Sequence, residues 1–507
     1  MKRISLFGFL IAGLFMSLTN QSCTNLDEEI YSEVLAEDFF QSDEEFISAL
    51  GSAYTSLYAY MDGRMLSVQE VASDAIAVPT RGQDWDDGGH WRRLHQHLYT
   101  PDDPEAANAW SFCYSGINAC NRLLFQFEQS GNADAAGFIS ELKVLRAMYY
   151  FWLLDVFGNV PIVERFDVPA DFAPPTSPRA DVYAFIESEV LDNADALTKS
   201  VDGSVYARVH YYVAQALLAK LYLNAEVYSG TSQHDKALAA VNEIVNSGIY
   251  DLEDNYFDNF KTENSASREN IFVIPYDQVF AGGFNIVART LHYGSQATYN
   301  LTFQPWNGFC TVQEFYSSFD SLTDDRANMF IVGPQYAADG VTRIEDSGAE
   351  ANDFDGPPLT YTPKINELGN NTNRQAGARI GKYEFALGAT NNLSNDFPIY
   401  RYGDMLLMKA EILWRQNPAS TEALDLVNEV RARAGAPAFA SLDADNLLAE
   451  RGREMAFETH RRTDLIRFGK YNDPWWAKDA SDPTKNIFPI PRGQIDANKS
   501  LTQNPGY

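Results

Sequence analysis

Two distant stretches of the chain repeat one helix–turn–helix pattern, and this repeat constrains the fold more than any other feature. Residues 225–248, AEVYSGTSQHDKALAAVNEIVNSG, are similar to residues 410–435, AEILWRQNPASTEALDLVNEVRARAG. Both contain Ala-Glu, a polar loop, Ala-Leu, Val-Asn-Glu followed by Ile or Val, and a terminal glycine. Small residues at a crossing let two helices approach closely, as in repeat units of about 34 residues. The two units can stack only if the intervening chain leaves the helical body and returns.

Amphipathic helical patterns fill most of the N-terminal half. Pro178 stands near a first helical position, and Gly248 follows a last one. Apolar spacing predicts helices over 43–60, 105–129, 135–156, 179–197, 205–228 and 234–247, and again over 398–434 and 443–468. The fold class is therefore predicted to be mainly α, with helix pairs of tetratricopeptide-like type.

Residues 251–397 differ from the rest of the chain. They are rich in Gly, Asn, Asp, Tyr and Pro, and 271–276 form a short strand candidate. Long segments of this kind inside a compact protein are usually functional, and the many aromatic residues here favour packing over a free linker. We expect one domain over 23–507, comprising a helical scaffold (about 40–250 and 398–470), a variable insertion (about 251–397) and an extended tail (471–507).

The N-terminus is typical of a secreted protein. Lys2 and Arg3 precede an apolar run, ISLFGFLIAGLFMSL, which is shorter than the roughly 20 residues that span a membrane. Cys23 stands where cleavage should fall, which predicts a signal peptide over 1–22 and acylation of Cys23 as in a bacterial lipoprotein. Asn20 departs from the leucine usual at that position. An ordinary signal peptide followed by a chance cysteine is the alternative.

Composition limits the classes of partner. The formal net charge is −30, and the chain has no basic stripe that could neutralise nucleic-acid phosphates. A soluble, extracytoplasmic protein that binds neutral ligands fits this charge. Cys113 and Cys120 share one predicted helix face about 10 Å apart, too far for a disulfide, so both are interpreted as small buried hydrophobes. No cofactor motif is present.

Several motifs together resemble the SusD/RagB family of nutrient-binding outer-membrane lipoproteins of Bacteroidetes. They are VFGNVPIV (156–163), FPIYRYGDMLLMKAEILW (397–414), VNEVRARAG (427–435), ERGREMAFETHRRTDLIRFG (450–469) and IFPIPRGQIDANKSLTQNPGY (487–507), with Cys23 followed shortly by LDEE. The resemblance implies tetratricopeptide-like helix pairs in an α–α superhelix, supporting a loop-rich variable region with few short strands. It also implies a lipid-anchored protein on the outer face of the outer membrane. It further implies capping of a SusC-like TonB-dependent transporter, to which oligosaccharides, or in some members peptides, are passed.

The loop TRGQDWDDGGHWRRLHQHLY (80–99) carries tryptophans in polar surroundings. A sugar ring has an apolar face that a flat aromatic can cover and a hydroxyl rim that polar groups can bind. Trp85 is flanked by Asp84 and Asp86, and we expect all three to contact a glycan. The alternative is that Trp85 packs beneath its own loop.

A second candidate lies in the variable region, in PWNGF (305–309). Trp306 and its neighbour Asn307 repeat the aromatic–polar pairing, and they complete the expected ligand-binding set. Trp91, Arg81 and Tyr293 are secondary candidates. Packing under the loop is again the alternative for each tryptophan, and Trp91 is interpreted mainly as support.

Other polar clusters are interpreted as structural. His90, His95 and His97 lie beside Arg92 and Arg93, whose charge would repel a cation. DSLTDDR (320–326) lacks the spacing of an EF-hand loop, so no metal site is predicted. In ERGREMAFETHRR, the dense charges predict a solvated face or an ion-pair network, rather than catalytic roles for Glu450, Glu454 or Glu458.

The leading hypothesis is a cell-surface glycan-binding lipoprotein without catalytic activity, partnered with a SusC-like transporter. A helical glycoside hydrolase is one alternative; it needs two opposed carboxylates, and no local motif nominates such a pair. A tetratricopeptide-type peptide-binding scaffold is the other.

Overall fold

The computed structural model describes residues 40, 42–82, 84–320, 322–346 and 358–507. The predicted signal peptide and Cys23 lie outside these residues.

The mainly α class is confirmed. The helices are α1 Asp43–Tyr54, α2 His90–His95, α3 Pro104–Ser130, α4 Ala135–Val156, α5 Arg179–Ala194, α6 Tyr211–Leu223, α7 Ala225–Ser229, α8 His234–Val245, α9 Ile286–Thr290, α10 Gln296–Tyr299, α11 Gln313–Ser317, α12 Tyr402–Gln416, α13 Thr421–Arg433, α14 Ala444–Glu454, α15 Arg461–Arg467 and α16 Arg492–Ala497.

The two repeated units stack on each other. Helix α6 packs on α8, α12 packs on α13, and α12 also packs against both α8 and α6. The Gln416 amide donates to Asp235 at 2.8 Å across this contact, and the Ser420 hydroxyl caps α13. The chain between the units therefore loops out and returns, which is the condition that stacking of the two units required.

Some predicted helices are shorter than expected. Helix α1 ends at Tyr54, and irregular turns follow, with Gly63 in the left-handed region at a φ of 71°. The segment predicted as helix over 205–228 becomes helical only at Tyr211 and is interrupted at Asn224. Helical periodicity located these elements but did not fix the residues at which they begin and end.

The predicted helix 398–434 was wrong at its start. Residues 397–401, Phe-Pro-Ile-Tyr-Arg, are all buried and form a strand, because apolar and aromatic residues on both faces suit a strand covered on both sides. The strands are β1 Ile76–Ala77, β2 Asn270–Ile274, β3 Cys310–Thr311, β4 Phe330–Ile331, β5 Gly333–Pro334, β6 Thr360–Tyr361, β7 Arg379–Ile380 and β8 Phe397–Arg401, which pair antiparallel as β1–β3, β2–β8, β4–β7 and β5–β6.

The C-terminal tail lies against the helical body. The Phe488 backbone N–H donates to the Val156 carbonyl at 2.8 Å, and the Asn504 amide donates to the carbonyls of Phe157 and Phe488. The short helix α16 interrupts a tail that was expected to be extended throughout.

The charged segment after residue 450 is buried, so the solvated-face interpretation was wrong and the ion-pair network is what forms. Glu450, Glu454 and Glu458 are at most 1% exposed. Arg401 joins Glu454 and Glu458 at 2.7 Å each, and Arg326 joins Glu450 at 2.8 Å. We call these five residues the arginine–glutamate cluster.

This cluster connects the variable region to the scaffold. Although burial alone would raise the pKa of Glu454, the charges of Arg433, Arg401 and Arg326 hold it well below its usual value. A buried carboxylate is tolerable only with such partners, so the cluster fixes how the two regions meet. Among the described residues, no helix combines the length and apolar character needed to span a bilayer.

Candidate functional site

The two tryptophans nominated from the sequence meet in the folded chain. Trp85 stands in the left-handed region at a φ of 62°, and its indole N–H donates to the Trp306 carbonyl oxygen at 2.6 Å. Its ring lies on the backbone of Gly308, where a Cβ atom would come within 2.3 Å of Trp85 Cε2. Gly308 is therefore what allows the two loops to close on each other. We call Trp85 and Trp306 the tryptophan platform.

Two buried aromatics support the platform. The rings of Trp91 and Phe309 each have centroids 5.6 Å from that of Trp85 and are at most 7% exposed. The Trp91 indole N–H donates to Asp87 at 2.9 Å. Trp91 thus lies beneath the platform, and the ring available to a ligand is that of Trp306, which is 36% exposed. Trp85 is half-buried.

An arginine holds the platform from the side. The Arg289 guanidinium lies 5.8 Å from the Trp306 ring centroid and 5.3 Å from that of Phe309. Asp62 pairs with it at 3.4 Å. Cation–π contacts of this kind orient the ring without covering its outer face.

The polar rim is formed by Asp84 and Tyr293. The Tyr293 hydroxyl donates to the exposed Asp84 carboxylate. Burial is the main cause that raises the pKa of Tyr293, and this hydrogen bond raises it further. Asp84 is positioned by two backbone hydrogen bonds with Arg81, of 2.9 and 3.1 Å, which close a tight turn. Asp86 is paired with Arg92 at 2.8 Å and keeps 43% of its side chain exposed.

Two of the nominated residues lie in the interior instead of on the rim. Asn307 is fully buried; its amide donates to the Arg374 carbonyl at 3.1 Å and accepts from Arg379 at 2.8 Å. Arg81 is 2% exposed and donates to the carbonyls of Arg374 and Ala376 at 3.1 and 2.8 Å. Both satisfy buried backbone groups, so their role is to hold the loops.

The histidines of the first loop tie it to neighbouring elements. His90 lies 2.6 Å from Glu105, His95 bonds the Trp476 carbonyl at 2.8 Å, and His97 bonds the Ala72 carbonyl at 3.0 Å. Burial lowers the pKa of His97 to about 2, so this ring is neutral at physiological pH.

A cleft of about 610 Å³ opens beside Tyr293. The amides that line it are Gln296, Asn300 and Gln304, and its charged groups are Glu345, Asp346 and Arg374. The sequence analysis did not nominate these residues. The four-residue spacing of the three amides was a weak sequence signal for this cleft. No local pattern marked Arg374, which lies in a loop distant in sequence.

Comparison with known proteins identifies the family. Residues 268–507 match the family model described as "SusD family", and residues 25–223 match "Starch-binding associating with outer membrane". The chain is a SusD-like protein. It is 26% identical over 439 residues to the starch-binding protein SusD of Bacteroides thetaiotaomicron, covering 77% of this chain and 76% of that one.

Solved structures share the fold. A SusD superfamily protein from Parabacteroides distasonis superposes with a TM-score of 0.73 at 22% identity, covering 92% of this chain and 99% of that one. Surface glycan-binding protein A from Bacteroides thetaiotaomicron, in complex with laminarihexaose, gives 0.70 at 24% identity, covering 91% and 99%. These two likenesses concern the fold alone.

Proposed function

We propose that this SusD-like protein is a cell-surface glycan-binding lipoprotein that captures oligo- or polysaccharide and passes it to a SusC-like TonB-dependent transporter in the outer membrane. The observation that carries the glycan-binding part is the tryptophan platform with its rim. Trp306 presents a flat apolar ring that is held rigidly at the surface, and Asp84 and Tyr293 place oxygen atoms nearby. An aromatic wall beside a few fixed polar groups is the usual makeup of a small-ligand site.

The relatives support the glycan class. One curated relative is a starch-binding protein, and one structural neighbour was solved with laminarihexaose bound. Starch and laminarihexaose are glucose polymers of different linkage, so glucans are the first ligands to test. The transporter partner, the outer-membrane location and the acylation of Cys23 rest on the family resemblance and on the N-terminal sequence.

Catalysis is not part of the proposal. Glu450, Glu454 and Glu458 are the carboxylates that the sequence analysis weighed for catalysis, and each is buried and paired with cations. Incubating the purified protein with soluble glycans should release no reducing ends. Steady release of reducing ends, absent from a mock preparation of the same expression host, would favour the glycoside hydrolase alternative.

Affinity electrophoresis in gels containing soluble starch, laminarin, xyloglucan or galactomannan tests glycan binding directly. We expect at least one polysaccharide to retard the wild-type protein and Trp306→Ala to abolish that retardation. The bond from Trp85 persists in this variant because its acceptor is the backbone carbonyl of residue 306. Phe280→Ala is the matched control, since Phe280 is also an exposed aromatic, at 90% exposure, outside the platform. Equal retardation of Trp306→Ala and wild type would overturn the site.

A further inference from the structure

A second surface groove lies outside the platform and the cleft. It has a volume of about 470 Å³ and runs between helix α3, the segment over 161–174 and the C-terminal tail. It shares no lining residue with the cleft beside Tyr293. Although 21% of the chain is Asp, Glu, Lys or Arg, none of the described residues that line this groove is charged. We call it the tail groove.

Helix α3 supplies the aromatic wall of the tail groove. Trp110 and Tyr114 are about one turn apart, and their ring centroids are 4.7 Å apart. The Tyr114 hydroxyl donates to the Pro161 carbonyl at 2.8 Å, and Phe157 packs edge-on against Trp110 at 5.2 Å. Both rings are therefore held in place, and Tyr114 is half-buried.

The indole N–H of Trp110 is the feature that points to a ligand. Trp110 is 4% exposed, yet its N–H makes no hydrogen bond to any residue that the structure describes. Buried indole N–H groups usually have a partner, as those of Trp85 and Trp91 do. Because Trp110 lines the tail groove, an acceptor bound there would supply the missing partner.

Uncharged polar side chains lie along the same wall. Ser111, Ser115 and Asn118 are exposed and share one face of α3, and Gln494 lines the groove from the tail. Within the described part of the chain, these four side chains make no hydrogen bond. Hydroxyls and amides both donate and accept, so each can bond a sugar hydroxyl without first losing a protein partner.

The lining disfavours other classes of ligand. An anion would find no cation among the described lining residues, and a cation would find no carboxylate. Protein partners are held mainly by large side chains inserted into desolvated pockets, whereas the exposed hydroxyls of Ser111 and Ser115 offer none. Fixed aromatic rings beside unpaired amides and hydroxyls suit a neutral sugar.

We propose that the tail groove is a second glycan-binding site, which holds a neutral polysaccharide captured by the platform. The ligand class rests on the proposed glycan-binding function, whereas the site is separate from the platform. Four uncharged hydrogen bonds correspond to a dissociation constant on the order of 1 mM, so the groove alone is too weak to retard Trp306→Ala in a gel. Joined to the platform by one long chain, it strengthens binding about fivefold.

The indole N–H signals of isotope-labelled tryptophans, followed by nuclear magnetic resonance, test the two sites separately in one titration. The Trp85 signal reports on the platform and the Trp110 signal on the groove, and Trp110→Phe assigns the latter by removing it. The probes are maltohexaose and laminarihexaose, added to roughly ten times the expected dissociation constant. We expect one of them to shift the Trp110 signal in wild type and equally in Trp306→Ala.

The possible failures are distinguishable. A shift of the Trp85 signal without one of Trp110 overturns the groove and leaves the platform intact. Loss of the Trp110 shift in Trp306→Ala overturns it too, because the two sites would then not be separate. If neither signal moves, the groove is overturned, and the proposed function falls only if the gel panel also fails.

Asn118→Ala/Gln494→Ala tests the contacts and does not depend on Trp110→Phe being folded. Neither side chain has a partner among the described residues, so the fold should be kept. In affinity gels, the binding of soluble starch or laminarin should weaken about fivefold. Half-saturation of the Trp85 signal by the hexasaccharide should stay within about twofold of wild type.

Gln129→Ala/Asn246→Ala is the matched control. It removes an exposed glutamine and an exposed asparagine that line neither the groove nor the cleft, so it should change neither affinity. Polysaccharide binding as tight as wild type in a folded Asn118→Ala/Gln494→Ala protein would overturn the groove as a glycan site.

Discussion

The arginine–glutamate cluster and the tryptophan platform put polar and aromatic residues to opposite use. In the cluster, Arg401 and Glu454 are withdrawn from water and bonded to each other. On the platform, Trp306 stays partly exposed to water, although burial of its ring would stabilise the folded protein. Buried charge that is paired fixes the relation of two regions, whereas an exposed ring held in place beside fixed polar groups is available to a ligand.

Arg401→Met should give the largest effect and break the interior side of this comparison. The change leaves Glu269, Glu454 and Glu458 short of a cation in the core, which should cost about 3–5 kcal/mol in the free energy of unfolding. Urea denaturation followed by circular dichroism measures it. Arg268→Met, which removes an exposed arginine whose hydrogen-bonded partner Asp254 is exposed, is the control and should leave the midpoint unchanged. A loss below 1 kcal/mol for Arg401→Met would show that the cluster is not what joins the regions.

Gly308→Ala should break the platform with a smaller loss of stability. The added Cβ atom would overlap the Trp85 ring, so the ring must shift at a cost of about 1–3 kcal/mol. Glycan affinity should fall with it. Gly137→Ala places a methyl group where no neighbour lies within 4 Å, so it should leave glycan affinity unchanged; because Gly137 lies in helix α4, stability should rise by up to about 1 kcal/mol instead of falling. Unchanged affinity in Gly308→Ala would mean that the position of Trp85 does not matter for binding.

Acidification should lower the free energy of unfolding through another buried polar group, the His97 ring. The folded-state pKa of His97, about 2, lies below its unfolded value near 6.5, so only the unfolded state binds this proton as pH falls between those values. The loss of stability caused by this proton should be close to zero above pH 7 and about 2 kcal/mol at pH 5. Unfolding free energies of wild type and His97→Gln, measured from pH 8 to pH 5, should converge as pH falls. Parallel curves would contradict the assignment.

Trp85→Phe should have the smallest effect and sharpen the description of the platform. It keeps an aromatic ring over Gly308 but removes the hydrogen bond to the Trp306 carbonyl, worth about 0.5–1.5 kcal/mol. Thermal unfolding and glycan titration together measure it. A variant that keeps full stability but loses all binding would assign Trp85 direct contact with the ligand, and not the positioning of Trp306.

Helical periodicity and the internal repeat were sufficient to predict the scaffold. The repeat around Val241 and Val427 indicated two similar helix pairs, and these pairs pack on each other in the fold. The strand at 397–401 was missed since a buried strand and a buried helix have the same continuous apolar pattern.

Residue type located the candidate site but not the depth of each side chain. Trp85 and Trp306 do come together, yet Asn307 lies inside and Trp91 lies underneath. Depth is set by contacts distant in the chain, such as the carbonyls that Asn307 and Arg81 satisfy, and local composition carries no record of them. The buried charges around Glu454 were ambiguous for the same reason.

A crystal structure of the protein with the glycan that binds it best tests the central claim most directly. The account predicts a sugar ring stacked on the exposed face of Trp306, with hydroxyls bonded by Asp84 or Tyr293 and the chain continuing toward Gln296 and Asn300. A glycan bound elsewhere on the surface, with Trp306 uncovered, would contradict it.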